Sequence, residues 1–168
     1  MKHNFFIRYF LLLAAQILLC GYFHLTPYIM LSILPAMVLC IPTRIGTPTA
    51  MVIAFLSALA VDFLAEGLPG INALALVPVA FCRKTLCGLI FGSELLVRED
   101  SFSIAKYGAL KVIFAIAIVQ ALFLLVYLWA DGGGARPLGF NLLRFVCSLA
   151  AGVLLSVPVT HVLCPDDR

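Results

Sequence analysis

The chain has 168 residues, of which 64% are hydrophobic and only 11% charged, with a formal net charge of +3 and a mean hydropathy of +1.14. Soluble domains do not reach such values, and no stretch of the chain offers a basic surface for nucleic acid, a glycine-rich phosphate loop or a metal-ligand set. The composition predicts an all-α polytopic membrane protein, a single integral membrane domain over 1–168 with no room for a separate soluble catalytic domain.

A helical crossing takes about 20 mostly apolar residues over a hydrocarbon core about 30 Å thick. The first predicted span runs over about 5–22, behind a basic head resembling a signal peptide but without a small-x-small cleavage site. Leu18-Leu19-Cys20-Gly21 resembles a lipoprotein cleavage box, yet Leu19 stands where a small residue must precede the cysteine. The second span, 25–41, contains Pro35 as an expected kink. After the turn Pro42-Thr43-Arg44, with Gly46 and Pro48 beyond it, comes a third span, 47–65, ending around Asp62. The fourth, 68–84, is short, so Arg83 and Lys84 are expected to snorkel to the headgroups while Thr85–Ser93 lies in or on the membrane. A polar loop over 94–106 precedes a charge-free fifth span, 112–130. The string Asp131-Gly132-Gly133-Gly134 then leads to a sixth span, 140–164.

Positive charge collects in cytoplasmic loops. With both termini in the cytoplasm, nine of the eleven basic residues fall on that side, leaving Arg136 and Arg144 outside. The same count places Asp62 and Glu66 toward the outer face. The basic rim suits anionic lipid headgroups.

Few residues can carry chemistry. Asp62 is the one acid near a span interior, where an isolated charge costs several kcal/mol unless paired or near the interface. Glu66, at i+4, shares its helical face, so the pair could close a cavity, meet a cation or simply be solvated at the outer boundary. Gln16 and Gln120 sit mid-span, where a side-chain amide bonds across a helix interface. Asn72, just after Gly70, is placed to cap the fourth helix. His161 is expected to pack as a neutral side chain. Serines without a Gly-x-Ser-x-Gly setting and a lone aspartate argue against intramembrane proteolysis and for a non-enzyme. The six cysteines, scattered through different apolar runs without CxxC spacing, read as small buried hydrophobes rather than metal ligands or disulfides, and no cofactor is expected.

The segment VDFLAEGLPGINALALVPVAFCRK, Val61 to Lys84, together with Gln16, Pro27-Tyr28 and Leu34-Pro35, resembles the rod shape-determining protein MreD family of bacteria over essentially the whole chain. In that family an aspartate near the end of the third span, a glycine turn, a Gly-x-Asn/His-Ala opening and a basic end to the fourth span recur together. Asp62, Gly70, Asn72, Ala73 and Arg83 match them, whereas Ala58 stands where many members carry glycine. The resemblance implies six transmembrane helices folded like the substrate-binding subunits of energy-coupling-factor transporters, in the bacterial cytoplasmic membrane. It implies a non-enzymatic role in cell elongation, binding MreC and, through it, MreB, RodA and its transpeptidase, in support of lateral peptidoglycan synthesis. Asp62, Gly70, Asn72, Arg83 and Gln16 are then partner-binding or structural residues, and Ala54, Ser57, Ala58 and Ala60 are small enough to let a partner helix approach. The alternative is a substrate-binding membrane subunit of a vitamin-type transporter, with a pocket opening outward near Asp62.

Overall fold

A computed structural model describes residues 2–22, 30–66, 70–92, 108–132 and 138–163. The elements are α1 (Lys2–Tyr22), α2 (Leu34–Leu39), α3 (Thr47–Val61) continued by a π-helical turn (Asp62–Glu66), α4 (Ile71–Phe91), α5 (Ala109–Gly132) and α6 (Leu138–Leu163). Among the described residues there is no strand. Thr47–Ala65, Ile71–Phe91, Ala109–Asp131 and Gly139–Leu163 are long and apolar enough to cross a membrane, and Phe5–Gly21 is a shorter apolar helix. This is the architecture of a membrane protein.

Glycine and proline set the ends. Pro35 and Pro48 lie in the first turns of α2 and α3, where a missing N–H costs nothing because that group has no partner within the helix. Gly92 closes α4 at φ 85°, a left-handed conformation that side chains disfavour.

Side-chain contacts give the helix directions. Asp62 meets the start of α4, and Arg83 reaches back to the turn before α3, so α3 and α4 form an antiparallel pair. Asp131 of α5 and Arg144 of α6 meet at 2.5 Å, and Gln120 lies over Gly152, making that pair antiparallel too. At the opposite end of the bundle the Arg8 guanidinium donates to the Val162 carbonyl at 3.3 Å, placing the start of α1 beside the end of α6. The Tyr9 hydroxyl donates to Ser57 Oγ at 3.2 Å, so α1 packs against α3.

Helices occupy most of the positions expected for spans, with shifted ends, and two expectations need correction. The second span, 25–41, is not one helix. Its helix is only Leu34–Leu39, preceded by non-helical backbone at Met30–Ile33, while 23–29 lie outside the described residues. The fourth is longer than 68–84: α4 continues without a break through Thr85 to Phe91. The polar loop 94–106 and Ser93 lie outside the described residues.

The core runs along α2, the inner faces of α3 and α4, and α5, and includes Leu34, Met37, Val38, Leu76, Val79, Ile116, Phe123 and Leu124. Ala54, Ser57 and Ala58 belong to this packed interior, with only Ala60 half-buried. They bring the protein's own helices together and do not present a stripe to a foreign one. Large apolar side chains cover the outside, among them Phe10, Phe55, Leu56, Phe81, Leu125 and Trp129.

Candidate functional site

Asp62 is fully buried, not solvated at an outer boundary. Four N–H donors converge on its carboxylate: Gly70 N at 2.9 Å, Asn72 N at 3.2 Å, Asn72 Nδ2 at 2.8 Å and Ala73 N at 3.4 Å. These donors define the arrangement. The first N–H groups of a helix have no partner within it, and normally the N-cap side chain supplies an oxygen to the second or third. Here the N-cap is Gly70, which has no side chain, held at φ 106° by the chain reversal. Asp62, eight residues earlier, supplies both oxygens from the end of the preceding helix. The positive end of the α4 dipole lies against the same carboxylate and adds to its stabilisation.

Asn72 therefore does not cap α4 itself. It stands at the second helical position and donates its side-chain amide to Asp62, while its Oδ1 is buried without a hydrogen-bond partner. Nothing further is described for the Glu66 side chain, which the spacing placed beside Asp62.

Arg83 is eleven residues beyond Asn72 on α4, about 16 Å along the helix, so it forms no pair with Asp62. It does not snorkel. Its side chain is buried, with Nη1 donating to the Ile41 carbonyl and Nη2 to the Ile45 carbonyl at 3.3 Å, while Nε has no partner. The guanidinium fastens the turn between α2 and α3 onto α4.

Gln16 belongs to a third centre. Its Oε1 accepts from Ile33 N at 2.9 Å and its Nε2 donates to the Leu31 carbonyl at 3.2 Å. From α5, Gln120 Nε2 donates to the Ser32 carbonyl at 3.2 Å, and from α6, Ser148 Oγ accepts from Met30 N at 2.9 Å. Non-helical backbone at membrane depth persists only where protein satisfies it, and here three helices each supply a polar side chain to Met30–Ile33. Gly152 makes room: a Cβ there would stand 2.4 Å from Gln120 Nε2. Gln16 and Gln120 were visible in the sequence as lone amides, but Ser148 and Gly152 carried no sign beyond small size within an apolar run.

The expected sites thus separate into Asp62, Gly70 and Asn72 at one end of α4, Arg83 lower on α4, and Gln16 at the broken segment. His161 is exposed rather than packed in the interior. Cys40 and Cys87 are buried and Cys20, Cys82 and Cys147 half-buried, none of these five joined in a disulfide; Cys164 lies outside the described residues. The arrangement at Asp62 is suited to holding two helices at a fixed junction: among the described residues, each hydrogen bond to the carboxylate comes from an N–H of Gly70, Asn72 or Ala73. No protein-family model matches the chain, and neither a curated protein nor a solved structure matches it.

Proposed function

We propose that the protein is an MreD-like, non-enzymatic component of the bacterial cell-elongation machinery, binding MreC in the cytoplasmic membrane. One observation carries the reading: Asp62, Gly70, Asn72 and Ala73, four of the five matched motif residues on which the resemblance rests, are joined as one hydrogen-bonded unit, with Arg83 apart on α4. A motif whose members touch is a stronger basis for resemblance than a shared apolar pattern.

The proposed topology has six crossings and cytoplasmic termini. It is supported by the meeting of α1's start with α6's end, which needs an even number of passages. The second of the proposed crossings is made in broken form by Met30–Ile33 and α2.

With Ala54, Ser57 and Ala58 occupied internally, the surface offered to MreC is the outward face of α3 and its π-helical turn, where Val52, Phe55, Leu56 and Phe63 are exposed. The test is co-purification of MreC with wild type and with a Phe55→Ala/Leu56→Ala variant, whose changes lie outside the packed core. The wild type is expected to recover MreC and the variant about tenfold less, the equivalent of about 1.4 kcal/mol of binding. No recovery with the wild type would end the assembly reading. Stabilisation by a member of a vitamin panel, with no MreC recovered, would replace it with the transporter reading.

A further inference from the structure

We propose that the cleft between the C-terminal half of α4 and the first turns of α5 binds one anionic phospholipid. The cleft holds about 410 Å³, with Leu86, Leu89 and Ile90 on one wall and Leu110, Phe114 and Ile118 on the other. Lys111 is the one charged residue among the described residues of its lining and stands at the third position of α5, within one turn of the helix start. Among the described residues its ammonium has no hydrogen-bond or salt-bridge partner. Leu89, Leu110 and Phe114 are 79%, 83% and 58% exposed, so none of the described residues fills the cleft.

The two halves of the site match the two halves of a phospholipid. An acyl chain covers the apolar walls, and a phosphate lies at the helix end where the Lys111 stem follows the apolar surface to present its charge. A foreign helix fits these walls poorly. Close helix approach in a membrane uses Gly, Ala, Ser or Thr, and none of these is among the described residues that line the cleft. A zwitterionic lipid can cover the walls but gains less from the cation. The site does not depend on MreC binding.

Native mass spectrometry of the detergent-solubilised full chain tests this with added phosphatidylglycerol or phosphatidylcholine of identical acyl chains. The wild type is expected to hold about fivefold more phosphatidylglycerol, the ratio one basic residue near a surface supplies. Lys111→Gln brings the ratio to about one, whereas Lys84→Gln, outside the cleft lining, retains it. A second measurement locates the lipid: in a Trp129→Phe background, tryptophan fluorescence from Phe114→Trp is quenched by chain-brominated phosphatidylglycerol more than by chain-brominated phosphatidylcholine. Equal retention of both lipids by the wild type, a preference surviving Lys111→Gln, or equal quenching would overturn the site.

Discussion

Among the described residues, two places where helical backbone is interrupted are held by opposite means. At the α3–α4 junction one carboxylate serves a whole helix end, with Asp62 accepting from Gly70, Asn72 and Ala73. At Met30–Ile33 the load is divided among Gln16, Ser148 and Gln120, none contributing more than two hydrogen bonds to the segment. A charged acceptor makes bonds about twice as strong as neutral ones, so one residue suffices at the first place and three helices are needed at the second. The first is local in sequence and depends on one side chain; the second is dispersed and tolerates partial loss.

That contrast can be broken from either side. The largest effect is expected from Asp62→Ala, which orphans four N–H groups, three of them buried. It should lower stability by about 3 kcal/mol or more, read from thermal unfolding in detergent. Gln16→Leu removes two bonds from the broken segment and should cost about 2 kcal/mol, with Gln120→Leu costing less because it serves a single described carbonyl. Should Gln16→Leu equal Asp62→Ala, the distinction between concentrated and divided support fails.

Gly152→Ala sharpens the second place. The new methyl collides with the Gln120 amide and should cost about 1–2 kcal/mol. In a Gln120→Ala background the same change should cost almost nothing, and that non-additivity, measured as a double-mutant cycle, is the sign of the contact. Smallest of the set is Gly70→Ala, at about 1 kcal/mol. There is open space around the position, so only the left-handed backbone resists the side chain.

How much could be read beforehand follows the same division. Apolar runs and Gly/Pro punctuation located the long helices, and the string from Glu66 to Asn72 located the junction, because both signals are continuous in the chain. Burial of Asp62 was not legible. The carboxylate sits where an α-helix gives way to a π-helical turn, and its donors arrive eight to eleven residues later from a reversed chain. Arg83 read as snorkelling because its acceptors, Ile41 and Ile45, lie 42 and 38 residues upstream. The second span read as continuous because a buried non-helical segment is as apolar as a helix. Only its distant partners, up to 118 residues away at Ser148, distinguish it.

The most direct test of Asp62 as the cap of α4 is amide hydrogen exchange across residues 70–73 in wild type, Asp62→Asn and Asp62→Ala. Exchange in this turn should rise about tenfold or more in Asp62→Ala, matching a loss of at least about 1.4 kcal/mol of local protection, and rise less in Asp62→Asn, which keeps one acceptor oxygen. The middle of α5 should change little by comparison. Unchanged exchange at Gly70, Asn72 and Ala73 in Asp62→Ala would contradict the account.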